Sequence, residues 1–166
     1  MRVLFAATLA LGLSASPALA QSITDADADV LVGQLSTPAF NECIGGEDAQ
    51  PIPAERRFAT CQKAMTELND HRRKNPQATA GQKQVHLFVE FAIEMGRTLS
   101  LIELNQPDMS KGCVNIERQW AMTARFDTSV VGPEMAGNLG EVKEAVRPLV
   151  QLCRQQFPAP AGAPAA

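Results

Sequence analysis

The chain has 166 residues, with 15 basic and 18 acidic side chains, and its formal net charge is −3. This length fits one domain with its own hydrophobic core, and the mild acidity argues against a nucleic-acid partner, which usually requires a basic face. Only 5% of the residues are aromatic, with no tyrosine and one tryptophan, so the residues typical of strands are scarce.

The first twenty residues, MRVLFAATLALGLSASPALA, have the layout of a secretory signal peptide. Arg2 supplies a positive start, the apolar run Val3–Leu13 follows, and the segment ends in the small-residue sequence Ala18-Leu19-Ala20. The apolar run is shorter than the about 20 residues that a helix needs to span a bilayer, which argues against a permanent anchor. We therefore predict that residues 1–20 are cleaved and that the exported chain does not insert stably into a membrane.

Apolar residues after this segment recur at helical spacing, and runs of alternating polarity are absent. The first helix is predicted to begin near Thr24 or Asp25. A short helix should then start at Ser36-Thr37-Pro38, because a hydroxyl cap followed by proline in the first turn is a typical helix start. Gly45-Gly46 is expected to end this short helix.

Three longer helices are predicted in the middle of the chain. One begins at Pro53 and ends at Asn75-Pro76, with its apolar residues on one face. The next covers about residues 80–105 and is apolar over most of its circumference, so we expect it in the middle of a bundle. The third begins at Asp108 or Ser110.

The segment 127–138 is predicted to be a connector, because it contains the turn sequences Gly132-Pro133 and Gly137-Asn138. A last helix should follow from Leu139. Pro148 lies inside the apolar pattern of that helix, and the pattern continues beyond it. We therefore expect one kinked helix rather than two helices.

These elements predict an all-α chain over residues 21–157. Its architecture should be a single helical bundle or stacked helical hairpins, with about five helices. Residues 158–166, PAPAGAPAA, contain only proline, alanine and glycine. They are predicted to be a disordered tail without a core of its own.

The four cysteines of an exported chain are predicted to form two disulfides, for which three pairings are possible. Cys43 and Cys61 lie symmetrically about the connector between the short helix and the long helix that follows it. Cys113 and Cys153 lie symmetrically about a point inside the segment 127–138. Because a hairpin folded at each midpoint brings its two cysteines to the same level, the predicted pairs are Cys43–Cys61 and Cys113–Cys153.

Other chemistry is not indicated by any motif. The chain has neither C-x-x-C nor closely spaced Cys and His pairs, which disfavours a redox motif, covalent haem and zinc. The dispersed methionines are typical of core packing rather than of a copper site. Because G-x-S-x-G, a complete S-x-x-K motif set and a phosphate-binding glycine loop are missing too, we predict no catalytic residue and no cofactor.

One polar stripe provides the candidate ligands for a metal or acid–base site. His86, Glu90 and Glu94 follow one another at intervals of four on the 80–105 helix, so their side chains share a face. Imidazole and carboxylate groups can bind a metal ion. The same stripe also suits the polar face of a bundle helix, with Arg97 placed to pair with Glu94. We favour this second interpretation, in which no metal is bound.

Residues 43–69 contain the sequence FATCQKAMTELN, in which Cys61 is followed by the small residue Ala64 and the segment ends at Asn69. This stretch resembles the helix pairs of tetratricopeptide-like repeat proteins exported by bacteria, in which a cysteine in one helix often pairs with a cysteine in the next. The Trp-Leu-Gly-Tyr part of the repeat signature is missing. The resemblance implies a helical hairpin and a protein-binding surface, and it assigns no functional residue.

The leading functional prediction is a non-catalytic exported protein, periplasmic or extracellular, that binds another exported protein or peptide or acts as an envelope accessory module. The alternative is a small-ligand or metal-binding bundle that uses His86, Glu90 and Glu94. A more distant alternative is an accessory of a hydrolase. A binding groove is expected between the 80–105 helix and the segment 127–138.

Overall fold

The computed structural model describes residues 22–45, 51–106 and 108–157. These residues form six α-helices, one 3-10 turn and no strand, so the all-α prediction is confirmed. The predicted signal peptide (1–20) and tail (158–166) lie outside the described residues. Within the part that is described, no helix combines the length and the apolar character needed to cross a membrane.

The helices follow the predicted order, and the six include the predicted short helix after Thr37, which the approximate count of five leaves out. They are α1 (Asp25–Leu35), α2 (Pro38–Ile44), α3 (Ala54–Lys74), α4 (Ala80–Leu104), α5 (Ser110–Thr123) and α6 (Pro133–Gln156). Thr24, Thr37 and Thr79 cap α1, α2 and α4, because each side-chain oxygen accepts a hydrogen bond from a backbone N–H in the first turn. Gly45 ends α2 with a φ of 68°, a left-handed conformation that glycine adopts without strain.

The connector between α5 and α6 is shorter than predicted. The prediction of a connector over 127–138 is wrong, because α6 begins at Pro133 and includes Gly137-Asn138. Gly132-Pro133 is the start of a helix, since proline at the first helical position loses no hydrogen bond. The remaining link contains the 3-10 turn Thr128–Val130. The prediction that one helix rather than two contains Pro148 is confirmed, and the kink stays a prediction.

Helix α4 is central, as its apolar sequence predicts. It packs against α1, α2, α3 and α5. One hydrophobic cluster joins α1, α2, α3 and the start of α6 to one side of α4, which contributes Val85 and Val89. A second cluster joins α5 and α6 to another side of α4, which contributes Leu87 and Phe91. His86 therefore lies on α4 between residues of both clusters.

Both predicted disulfides are present. Cys43–Cys61 joins α2 to α3 with a sulfur–sulfur distance of 2.08 Å, and Cys113–Cys153 joins α5 to α6 at 2.10 Å. All four cysteines are buried. Two structural disulfides indicate that the protein folds in an oxidising compartment, which agrees with the predicted export.

The start of the described chain is tied to the start of α6. The N–H of Ile23 donates a hydrogen bond to the carbonyl oxygen of Val130 at 2.9 Å. The Asp25 carboxylate accepts hydrogen bonds from the backbone N–H groups of Glu134 (3.3 Å) and Met135 (3.0 Å). Because these N–H groups belong to the first turn of α6, the negative charge of Asp25 also interacts favourably with the helix dipole.

Candidate functional site

A polar cleft lies where the loop between α3 and α4 meets the start of α4. Two cavities of about 390 and 360 Å³ share the loop residues Asn75, Pro76 and Ala78, and His86 lines both of them. The first cavity extends to Arg125, which follows α5, and the second extends to α1. We call the two cavities together the His86 cleft.

His86 is the buried polar residue of this cleft. It is only 3% exposed, and the ring of His71 on α3 lies edge-on to it with 5.2 Å between the ring centroids. Its Nε2 atom is buried and makes no hydrogen bond within residues 22–45, 51–106 and 108–157. A buried ring nitrogen without a partner costs free energy, so a ligand that bonds to this atom would recover that cost.

Its environment keeps the His86 ring uncharged at neutral pH. Three causes together lower the pKa of His86 from 6.5 to about 4: first burial, because the charged imidazolium is poorly solvated there, then the charge of Arg72, and then the neighbouring His71. A neutral imidazole carries one N–H donor and one acceptor nitrogen. His86 can therefore donate a hydrogen bond to a ligand without itself carrying a positive charge.

The three residues of the predicted stripe do not converge on one point. Glu90 pairs with Arg72 of α3 at 2.6 Å, and Glu94 pairs with Arg97 at 2.7 Å, as predicted for the second pair. Among the described residues, no cluster of three or more His, Cys, Asp or Glu side chains has an arrangement that would hold a metal ion. Both carboxylates are therefore engaged in ion pairs, and among the described residues of the stripe His86 is the one with a buried polar atom that lacks a hydrogen-bond partner.

Arg72 connects α3 to α4 at the side of the cleft, and it also neutralises the charge of Glu90. One nitrogen of its guanidinium lies 2.6 Å from the Glu90 carboxylate and 3.0 Å from the backbone oxygen of His86. Both acceptors belong to α4, whereas Arg72 lies near the end of α3. The interaction therefore holds the two helices together beside the His86 ring.

Three further basic side chains of the cleft have no acidic partner in the part of the chain that the structure describes. Eight ion pairs are formed in the described ranges, and the basic residues there that take part in none are Lys74, Lys83, Lys111, Arg118, Arg125 and Lys143. Half of these line the His86 cleft, with Lys83 and Arg125 in the first cavity and Lys74 in the second. Since the one acidic lining residue, Glu90, is already paired, the cleft is locally cationic in a chain of net negative charge.

Gln84 of α4 holds the backbone of the segment that contains Arg125. Its side-chain N–H donates to the backbone oxygen of Arg125 at 3.3 Å, and its side-chain oxygen accepts from the backbone N–H of Asp127 at 3.1 Å. These two bonds attach the end of α5 to the start of α4. The cationic first cavity is therefore a product of tertiary packing, because its basic residues come from separate segments of the chain.

The position of the cleft differs from that of the predicted groove. The sequence predicted a groove between the 80–105 helix and the segment 127–138, whereas the cleft lies between the end of α3 and the start of α4, with only Arg125 coming from the later chain. A local signal was present, since the basic run Arg72-Arg73-Lys74 precedes a proline turn and Lys83 follows that turn in the next helix. No sequence signal connects Arg125 to this region.

No protein-family model matches the chain, and no curated protein or solved structure matches it either. The helical hairpin implied by the resemblance of residues 43–69 is present as α2 and α3, while membership of the tetratricopeptide-like proteins stays a prediction. Because a fold by itself does not assign a function, the functional argument rests on the His86 cleft.

Acidification from about pH 7 to about pH 4 is expected to destabilise the protein through His86. The unfolded chain takes up this proton near pH 6.5 and the folded chain near pH 4, so between these values the unfolded state binds more protons and the free energy of unfolding decreases as the pH is lowered. At 1.36 kcal/mol per pKa unit, the loss reaches at most about 3 kcal/mol. Urea unfolding at several pH values measures it.

The His86→Gln variant is the control for this titration. Carboxylates in ion pairs add a pH dependence of the same sign, and that part is common to wild type and variant. The wild type should therefore lose more unfolding free energy than the variant as the pH falls, so the value for the wild type minus that for the variant should decrease. A difference that stays constant from about pH 7 to about pH 4 would show that His86 does not titrate in this range.

Proposed function

We propose that this protein is an exported, non-catalytic binding protein of the periplasm that contacts another exported protein or peptide through the His86 cleft. The observation that carries the proposal is the buried His86 ring, whose Nε2 lacks a partner among the described residues although the residue lines two surface cavities. Natural structures bond nearly all such buried polar groups. A partner that supplies the bond would explain why the group is retained.

The composition of the cleft favours a peptide over a small organic molecule. Small-molecule sites are mostly apolar and enclose most of their ligand, with a few polar groups that set its orientation. The lining of the His86 cleft is instead dominated by lysine, arginine, asparagine and glutamine side chains. Its two cavities share the α3–α4 loop, which suits an extended chain lying along the surface.

The lining also supports a binding role over a catalytic one. None of the described residues that line the two cavities is a serine, threonine, cysteine or aspartate. The single glutamate, Glu90, is held by Arg72 at 2.6 Å. A nucleophile beside a histidine base, the usual arrangement for covalent catalysis, is thus not assembled by these residues.

Site-specific cross-linking tests the proposal. A photoreactive residue is placed at Gln77, which is exposed and lines the second cavity, or at Gln151, which is exposed on α6 away from the cleft. Each variant is exported in the host of origin and irradiated. We expect one adduct of defined mass from position 77 and none from position 151. The partner identified from that adduct should then bind the purified wild-type protein and bind the His86→Gln variant more weakly.

Adducts of equal yield at both positions, or no adduct at position 77, would contradict the assignment of the cleft as the contact surface. Loss of folding is not a concern at either position, because both glutamine side chains are exposed and form no hydrogen bond within the described residues. Titration of the purified pair by calorimetry gives the affinity for each variant.

A further inference from the structure

We propose that the His86 cleft binds a carboxylate presented by an acidic peptide segment, with Lys83 and Arg125 as its cationic contacts and His86 as its hydrogen-bond donor. This inference rests on the proposed function and specifies the chemistry that the partner must supply. It follows from three features of the cleft: unpaired cations, an unbonded buried imidazole and an extended shape.

The unpaired cations select an anionic ligand. Lys83 and Arg125 line the same cavity and form no ion pair within the described residues, whereas Arg72 beside them is already neutralised by Glu90. A cationic ligand would be repelled by both side chains. A carboxylate would provide their missing partner, and a guanidinium can hold a carboxylate with two parallel hydrogen bonds.

His86 adds a directional contact to this charge attraction. Its ring is neutral at physiological pH, so one of its nitrogens carries a proton that can be donated to a carboxylate oxygen. Since Nε2 has no partner in the described residues, bonding to a ligand there does not require an internal bond to break. The negative charge of the ligand would also oppose the effect of Arg72 and raise the pKa of His86 on binding.

The shape of the cleft favours a peptide as the source of the carboxylate over a small free anion. The second cavity continues past the shared loop residues and reaches Lys74, a third cation without an ion-pair partner in the described part of the chain. Every second residue of an extended chain points to the same side, at a spacing of about 6.6 Å, so an acidic segment can present several carboxylates along the cleft. One inorganic anion would leave one cavity unused.

The probe that tests this inference is a tetraglutamate peptide, with tetraglutamine and inorganic phosphate as comparisons. Each is titrated into the oxidised, exported protein, and backbone amide shifts are followed by NMR. We expect saturable shifts centred on Gln77, Lys83, His86 and Arg125 with tetraglutamate and none with tetraglutamine. Binding should weaken as the salt concentration rises, because the contacting cations are exposed.

A charge-matched pair of double variants locates the site. Lys83→Gln/Arg125→Gln should weaken tetraglutamate binding by about tenfold, the sum of two partly exposed ion pairs. Lys143→Gln/Arg118→Gln removes the same two charges from exposed positions that do not line the cleft, so the affinity should stay within about twofold. Amide spectra without peptide verify that both variants are folded.

Equal weakening in both double variants, or shifts spread over the whole surface, would show non-specific attraction and overturn the inference. Shifts with phosphate but not with tetraglutamate would assign the cavity to a small free anion and also overturn it.

The proposed function has a separate test. If position 77 cross-links to a partner but tetraglutamate causes no shift, the cleft is a contact surface and the carboxylate inference is wrong. If tetraglutamate binds but no adduct forms, the proposed function fails.

Discussion

Replacing Cys113 and Cys153 together by alanine is expected to lower the free energy of unfolding by about 4 kcal/mol, the largest effect that we expect from a single structural change. The bridge closes a loop of 40 residues, and its removal returns that loop's conformational entropy to the unfolded chain. Net stabilities of domains are about 5–15 kcal/mol, so this loss removes at least about a quarter of the free energy of unfolding. Urea unfolding of the oxidised wild type and of the variant measures the difference.

The Cys43→Ala/Cys61→Ala variant is the internal comparison. This bridge closes a shorter loop, with a sequence separation of 18 residues, so the expected loss is about 3 kcal/mol. The two losses should be roughly additive, because one bridge joins α2 to α3 and the other joins α5 to α6. A loss below about 1 kcal/mol for the 113–153 pair would contradict the prediction, since it would mean that the unfolded chain gains little freedom from the missing bridge.

The helices and both bridges were predictable from the sequence because each depends on local spacing. The apolar residues of α4 recur over most of its circumference, which is sufficient to identify a central helix. Each cysteine pair is symmetric about a connector, which is sufficient to choose one of three pairings. The error at 127–138 has the same local origin: Gly132-Pro133 has the composition of a turn, and the same two residues also suit the start of a helix.

The site was only partly predictable because its chemistry depends on contacts between distant segments. The spacing of His86, Glu90 and Glu94 places them on one face of a helix, and in that respect the prediction is correct. Their partners, however, are set by tertiary structure, since Arg72 reaches Glu90 from α3. The backbone oxygen of Arg125 accepts a hydrogen bond from the side chain of Gln84, which lies 41 residues earlier. Residue spacing carries no information about such a contact.

Replacing Gly96 by alanine is expected to lower the free energy of unfolding by about 3 kcal/mol, the upper end of the usual cost of overpacking. Gly96 lies on α4 against the bridge between α2 and α3. A Cβ atom at this position would lie 2.6 Å from the backbone oxygen of Cys43, 2.8 Å from its sulfur and 3.0 Å from the sulfur of Cys61. Neither the backbone oxygen nor the bridged sulfurs can rotate away, so α2 must move as a whole.

Gly140→Ala is the matched control for this substitution. Gly140 lies inside α6, and a Cβ atom there would meet no atom within 4 Å. The same chemical change should therefore raise stability at this position by up to about 1 kcal/mol, because alanine favours the helix more than glycine does. Thermal and urea unfolding of both variants measure the two effects. A gain in stability at both positions would show that α4 does not approach the bridge as closely as the structure indicates.

A double-mutant cycle separates this steric effect from a general loss of stability. In the Cys43→Ala/Cys61→Ala background, two of the three close atoms are removed and α2 is no longer fixed to α3, so the cost of Gly96→Ala should fall to about 1 kcal/mol or less. If the cost stays near its value in the wild-type background, the bridge is not what opposes the Cβ atom. Because both substitutions act at the same contact, their non-additivity measures directly how tightly the first disulfide holds α2 against the central helix.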